Sequence, residues 1–125
     1  MGKIQKFTDL IAWKEGHKLV LFTYKATDNF PKKETFALSD QMRRAALSIT
    51  SNVAEGFSRK TAKEKIQFYH TALGSLAELQ SQIITAKNID YINTEFFNVV
   101  NDLSVTVSKL INGLIKTAKT FGSYT

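Results

Sequence analysis

The stretch from Phe36 to Phe57 constrains the fold most, because its pattern predicts one helix with two different faces. One face is apolar at spacings of three and four, so it must be buried; its members are Leu38, Met42, Ala45, Ile49 and Val53. The face beside it is polar at the same spacing, and its members are Gln41, Arg44, Ser48, Asn52 and Glu55. Small alanines around these faces let a neighbouring helix approach closely, so we expect the polar groups to find partners there.

Three other segments share this helical periodicity, and the predicted helices span about 8–29, 39–56, 61–88 and 93–121. Phe30-Pro31 ends the first helix, since a residue before proline is pushed out of the helical region. Thr61 and Glu64 match a capping box, and Asn93 is placed to cap the last helix. No segment alternates with the period of a strand. The sequence therefore predicts one all-α domain, residues 1–125, folded as an antiparallel up-down-up-down four-helix bundle.

Several details of this bundle follow from the same pattern. The predicted buried line of the first helix consists of Leu10, Trp13, His17, Val20 and Tyr24. Thr8 or Asp9 is expected to cap that helix, and Gly56 is expected to cap the C-terminus of the central one. Ile89 and Ile92 are expected to plug the core from the turn before the last helix.

The absence of cysteine excludes disulfides and thiolate metal sites, and it fits a reducing cytoplasmic compartment. No signal peptide and no membrane span are expected, because nowhere do eighteen or so apolar residues follow one another.

The formal charge of +6 is unevenly distributed along the chain. Residues 1–65 hold 13 of the 17 basic and 7 of the 11 acidic side chains, and the remainder holds four of each. Such asymmetry indicates a polyanionic partner, with nucleic acid favoured over a membrane because no strongly apolar face accompanies the charge. The alternative is that a basic chain is merely more soluble.

Patterns of catalytic and metal chemistry are missing from this chain. Neither His17 nor His70 follows a glutamate by three residues, as a di-iron bundle requires, and the two histidines without cysteine disfavour zinc. The glycines form no phosphate-binding loop, and no serine lies in a nucleophile-elbow pattern. We therefore expect no enzyme, no catalytic residue, no cofactor and no metal.

Residues 41–65 also fit a helix-turn-helix that binds DNA, since basic residues follow a tight turn. However, the third helix is too long for an ordinary recognition helix, which favours a bundle hairpin. Trp13 and Tyr69 could stack on bases, although their positions on apolar lines favour the core.

Four polar residues beside the core lines are predicted to form a packing or subunit-contact network: Arg44, Asn52, Glu55 and Glu78. We expect Arg44 to pair with Glu78 of the neighbouring helix or with Glu55 of another subunit. The alternative is a solvated polar face.

Residues 30–61, F-P-K-K-E-T-F-A-L-S-D-Q-M-R-R-A-A-L-S-I-T-S-N-V-A-E-G-F-S-R-K-T, carry a family resemblance. Together with Leu10-x-x-Trp13 upstream and G-S-L-A-E-L downstream, this run resembles the four-helix-bundle proteins encoded in intervening sequences of bacterial 23S ribosomal RNA genes, the S23 family. The chain is also similar to the accessory variability proteins of diversity-generating retroelements. The resemblance implies a homopentamer without known catalysis, and the second likeness implies binding of nucleic acid and of a reverse transcriptase. Residues on motif positions are Arg43, Arg44, Asn52, Glu55, Gly56, Arg59 and Glu78.

From the resemblance and the charge together, we expect a non-enzymatic oligomer that binds structured RNA in preference to DNA. Its predicted basic rim consists of Arg43, Arg59, Lys60, Lys63 and Lys65, extended by Lys14 and Lys18 if the first helix lies beside it. Alternatives are a protein-interaction scaffold, for example for a reverse transcriptase, and a helix-turn-helix-like DNA binder.

Overall fold

The computed structural model describes residues 3–122, and all its regular elements within that range are helical. Four α-helices follow one another as α1 (Ile11–Thr27), α2 (Leu38–Ser58), α3 (Ala62–Asn88) and α4 (Thr94–Gly122). Short 3-10 turns precede α1 and α2 at Phe7–Asp9 and Lys32–Glu34. The all-α class and the four predicted helices are confirmed.

The helices form an antiparallel ring in which α1 packs on α2 and α4, and α3 packs on the same two helices. Their lengths differ: α1 has 17 residues and α4 has 29. At 1.5 Å per residue these helices are roughly 26 and 44 Å long. Because α4 is so much longer than α1, it extends past α1 along the bundle axis.

The core follows the predicted face of α2, since Met42, Ala45, Ile49 and Val53 are all buried. The prediction for α1 is wrong in part. Its buried face includes Ala12, Gly16, Leu19, Val20 and Thr23, so the helix is rotated toward its small residues. Gly16 lies close to α2, where an added Cβ would sit 3.2 Å from the Thr50 methyl group.

The aromatic residues of the predicted α1 line lie at the edge of the core or outside it, and Trp13 still packs against the core from a partly buried position. Trp13 and His17 are half-buried and stack on each other with ring centroids 4.8 Å apart. Tyr24 is exposed. His17 is therefore not the core group that its position in the pattern predicted.

Gly56 has a different role from the one predicted. It lies inside α2 rather than after it, and it faces the ring of Tyr69 on α3. A Cβ at this position would lie 2.5 Å from Tyr69 Cε1, which is too close for any side chain. The glycine therefore permits the close approach of α2 and α3.

The helix starts agree with the predicted caps of α3 and α4 but not of α1. Thr61 Oγ1 accepts the backbone N–H of Glu64, and Asn93 Oδ1 accepts that of Phe96. Asp9 instead accepts the backbone N–H groups of Gln5 and Lys6, so it stabilises the 3-10 turn before α1.

Of the two isoleucines expected to anchor the α3–α4 turn in the core, only one does so. Ile92 packs against the core, whereas Ile89 is exposed. Tyr91 packs on Phe30 with ring centroids 5.0 Å apart and donates its hydroxyl proton to Glu34 Oε2 at 2.7 Å.

Candidate nucleic-acid interface

The antiparallel topology collects positive charge at one end of the bundle. We define the basic end as residues 3–15, 54–68 and 115–122, which comprise the start of α1, the α2–α3 turn and the end of α4. It holds nine basic and four acidic side chains, and the other described residues hold eight and seven. Nearly all of the excess charge therefore lies at one end.

Five of the seven residues of the predicted rim meet at the basic end: Lys14, Arg59, Lys60, Lys63 and Lys65. Lys18 lies one turn beyond it on α1, and its Nζ is 2.7 Å from Glu15 Oε2. Arg43 does not join the rim, because it lies near the opposite end of α2.

Arg43 connects α2 to the C-terminal end of α1. Its Nη2 lies 2.9 Å from Asp28 Oδ1, and its Nε donates to Thr27 Oγ1 at 2.8 Å. The guanidinium also lies over the ring of Tyr24, 4.8 Å from the centroid. These three contacts fasten α2 to the end of α1 and hold Arg43 away from the basic end, while its side chain stays 30% exposed.

Lys65 is at the basic end but is directed inward. Its Nζ donates to the carbonyl oxygens of Phe57 at 2.8 Å and Gly56 at 3.3 Å, which closes the C-terminus of α2. Burial lowers the pKa of this ammonium below its usual value. The main role of Lys65 is therefore to cap the C-terminus of α2, and it contributes less to the surface charge than the exposed lysines do.

Arg59 is also partly engaged within the chain. Its Nη2 lies 2.9 Å from Glu55 Oε2, and its guanidinium covers the ring of Phe68. Its buried Nε has no hydrogen-bond partner among the described residues.

Seven lysines of the basic end form no salt bridge within residues 3–122, and all are exposed. They are Lys3, Lys6, Lys14, Lys60, Lys63, Lys116 and Lys119. The sequence analysis missed Lys116 and Lys119, because it balanced charge along the chain rather than between the ends of the predicted bundle. These lysines come from α1, the α2–α3 turn and α4, so folding assembles the basic surface from distant segments.

Most acidic groups of the basic end are occupied locally. Hydrogen bonds from the backbone of Gln5 and Lys6 lower the pKa of Asp9, and nearby lysines add to the effect. Glu55 pairs with Arg59, and Glu64 accepts from the Thr61 hydroxyl. The potential around this end is therefore set by the free lysines.

The four residues of the predicted polar network form no hydrogen bond or salt bridge with one another within residues 3–122, and the polar contact between α2 and α3 comes from Ser48 instead. Ser48 and Ser75 join α2 to α3 through hydroxyl oxygens 2.7 Å apart, and Asn52 donates to Ser48. Arg44 does not reach Glu78, because its Nε binds Asp40 Oδ2 one turn away on the same exposed face. Pairing of Arg44 with Glu55 of another subunit stays a prediction.

An apolar cavity of about 450 Å³ opens at the basic end between the α2–α3 turn and the end of α4. Its walls include Leu10, Phe57, Leu114 and Phe121, and Lys60 and Lys65 lie on its border. In the described part of the chain, no three His, Cys, Asp or Glu side chains cluster to hold a metal ion. No helix there is long and apolar enough to cross a membrane.

Comparisons with known proteins agree with this architecture. The family profile described as 23S rRNA-intervening sequence protein matches residues 8–113. The chain is also similar to a crystal structure from Bacteroides thetaiotaomicron, described as a protein of unknown function from the S23 ribosomal protein family, with a TM-score of 0.78 and 20% identity. That similarity covers 85% of this chain and 96% of the other. None of the curated proteins matches this chain.

Proposed function

Since the chain belongs to the 23S rRNA-intervening sequence protein family, we propose that it is a non-enzymatic, oligomeric bundle that binds structured RNA through its basic end. The observation that carries this proposal is the set of seven exposed lysines without salt bridges, gathered from three separate segments. Lysines contact phosphates as point charges, which gives affinity and salt dependence but little sequence specificity.

Preference for RNA over duplex DNA is supported by the shape of α3. A recognition helix must enter a groove, whereas α3 runs 27 residues along α2 and α4 with its apolar face buried. This arrangement favours the hairpin over the helix-turn-helix. A surface built from helix ends instead suits the irregular backbone of folded RNA.

The test is a fluorescence-anisotropy titration with a structured fragment of 23S rRNA and a length-matched DNA duplex, at several salt concentrations. The variant Lys60→Glu, Lys63→Glu, Lys119→Glu removes three free lysines of the basic end. Its control is Lys25→Glu, Lys32→Glu, Lys33→Glu, which reverses three exposed lysines outside that end and leaves the same net charge. We expect the first variant alone to reduce the salt slope, by roughly two to three units.

Equal loss in both variants would show that net charge alone attracts RNA, and equal binding of RNA and duplex would remove the preference. Failure of the unaltered protein to bind RNA at low salt would overturn the proposal.

A protein-interaction scaffold is the second candidate, and Phe36 favours it. This large apolar side chain is 94% exposed in the connection before α2, outside the basic end. Single exposed apolar side chains are common on protein surfaces, but one this fully exposed would gain free energy from being covered by a partner. Retention of a protein partner by the Lys60, Lys63, Lys119 variant, but not by Phe36→Ser, would support this candidate.

Assembly into a homo-oligomer, a pentamer by resemblance, is part of the proposal. Exposed aliphatic side chains on the outer faces of α2, α3 and α4 support it, namely Leu47, Ile84, Val99 and Val105. Light scattering coupled to gel filtration should give a mass of several chains, and a monomer would contradict it. The cytoplasmic location, expected from the absence of cysteine, stays a prediction.

A further inference from the structure

The cavity at the basic end has the size and lining of a small-molecule site. Its volume of about 450 Å³ lies within the range of roughly 300–1,000 Å³ that such sites occupy. Much of its lining is apolar, including Leu10, Leu114, Phe57, Ala118 and Phe121. An apolar occupant would be favoured there, because it would remove apolar surface from water on both sides.

None of the described lining residues of the cavity is acidic, and its charged groups are the cations of Lys60 and Lys65, beside the hydroxyls of Tyr69 and Thr117. Lys60 is exposed and forms no salt bridge within residues 3–122. Lys65 Nζ has three N–H groups, and two carbonyl oxygens accept from it. One N–H of Lys65 therefore remains for an acceptor in the cavity.

Tyr69 gives a second, independent indication. Its side chain lines the cavity and is only 4% exposed, yet its hydroxyl forms no hydrogen bond within the described chain. The hydroxyl oxygen itself keeps some solvent access, so it can donate to water or to a molecule bound in the cavity. Burial also raises the pKa of this phenol, so the hydroxyl remains a donor across the neutral range. An acceptor atom on a bound molecule would satisfy it.

We propose that this cavity binds a free single-chain carboxylate, with the alkyl chain against the leucine and phenylalanine side chains and the carboxylate near Lys60, Lys65 and Tyr69. The charge is complementary because cations border an apolar space that no carboxylate lines. A neutral hydrocarbon would leave the Tyr69 hydroxyl and the free Lys65 N–H unpaired. A cationic amphiphile would be repelled.

This proposal does not depend on RNA binding, although both functions use Lys60. A bound carboxylate would neutralise part of the positive potential at the basic end. We therefore expect the carboxylate to weaken RNA binding when both are present.

The experiment titrates the full chain with dansylaminoundecanoate and follows the rise of dansyl fluorescence on transfer to an apolar site. Dodecanoate, dodecanol and dodecyltrimethylammonium, each below its micellar concentration, then compete with the probe. We expect dodecanoate to displace the probe at least tenfold more effectively than dodecanol, and the cation not to displace it. Equal displacement by all three would overturn the proposal, because it would show unspecific apolar adsorption.

Two matched pairs of variants locate the site. Ala118→Phe fills the cavity and should weaken probe binding at least tenfold, whereas Thr106→Phe, at an exposed position of the same helix, should not. Lys60→Gln should weaken dodecanoate several-fold without affecting dodecanol, and Lys109→Gln should change neither. Circular dichroism checks that each variant folds. If Ala118→Phe does not fold, the Lys60→Gln and Lys109→Gln pair still tests the proposal, because both positions are exposed.

An unchanged affinity in Lys60→Gln and in a folded Ala118→Phe would place the probe elsewhere and refute the inference. A probe signal that appears only with anionic vesicles would also refute it, since the occupant would then be a membrane surface. RNA binding is measured separately without amphiphile, so failure of either proposal leaves the other open to its own test.

Discussion

The two ends of the bundle use the same kinds of charged residue differently. Outside the basic end, basic and acidic side chains nearly balance, and Arg43 is held by Asp28, Thr27 and Tyr24. At the basic end most lysines have no salt bridge within the described chain, and an apolar cavity separates the helix ends. Outside the basic end, charged side chains such as Arg43 connect helices. At the basic end, most lysines remain on the surface without salt-bridge partners in the described chain.

This difference shows why the number of charged residues says little about their function. An arginine placed among groups from two helices contributes to stability, because its partners are already ordered. Repulsion among neighbouring lysines slightly destabilises the isolated protein. A bound polyanion relieves that repulsion, so the same lysines favour binding. The next experiments measure stability at each end and so sharpen this contrast.

The largest expected effect is at the close contact of α2 and α3 beside the cavity. Gly56→Ala should lower the free energy of unfolding by about 2 kcal/mol, because the new Cβ would overlap the Tyr69 ring. Gly74→Ala, where an added Cβ meets no atom within 4 Å, should raise it by up to about 1 kcal/mol. Urea unfolding followed by circular dichroism measures both, and a stabilising Gly56→Ala would contradict the packing described here.

The second effect tests the clamp outside the basic end. Arg43→Ala should cost about 2 kcal/mol, because it removes contacts with three residues of α1. Arg44→Ala should cost only about 0.3–0.5 kcal/mol, since its pair with Asp40 is exposed and lies on one helix. Thermal unfolding distinguishes the two. Equal losses would mean that Arg44 has a further partner, such as Glu55 of another subunit.

The third effect concerns the lysine that is directed inward at the basic end. Lys65→Met keeps the length of the side chain but removes the cap on the Phe57 and Gly56 carbonyls, so it should cost about 1 kcal/mol. Lys63→Met, at an exposed position, should be neutral. The denaturant midpoints of the two variants measure this difference. If Lys65→Met does not lower stability, Lys65 does not cap α2 and belongs with the surface lysines.

The smallest effect is a pH dependence above neutrality. Burial raises the pKa of Tyr69, so its contribution to stability is complete below the unfolded value of about 10 and is lost as the pH rises toward the folded value. Tyr69→Phe should therefore retain more stability than the unaltered chain above pH 10. Tyr91 also has a raised pKa, caused first by its hydrogen bond to Glu34. Tyrosine absorbance should show both ionising later than in Tyr-containing peptides, and early ionisation of Tyr69 would contradict its burial.

Local patterns predicted most of the fold. The apolar spacing of α2, the Thr61 and Asn93 caps and the four helices needed only neighbouring residues, and the structure confirms them. The rotation of α1 could not be predicted in this way. Trp13 is more apolar than Gly16, but at Gly16 the helix approaches α2 so closely that a Cβ would lie 3.2 Å from the Thr50 methyl group, and Thr50 is 34 positions away in the sequence.

The candidate site was predicted less completely, for a related reason. Arg43 was assigned to the rim because it is a basic residue on a motif position of the family resemblance, while its partners Thr27 and Asp28 lie at the end of another helix. Lys116 and Lys119 were missed because charge was counted along the chain. Assigning each charge to an end of the predicted bundle would have found them, since that needs only the topology.

The unequal lengths of the helices also bear on how such a protein can diverge. From Leu114, which lines the cavity together with Leu10, α4 continues for eight residues to Gly122, or roughly 12 Å. These last turns still approach α3, because a Cβ at Gly122 would overlap that of Ala62, but Ile115 is their one buried residue, so most substitutions after it do not touch the core. One end of the bundle can therefore acquire new binding preferences while the rest preserves the fold, which separates the evolution of recognition from that of stability.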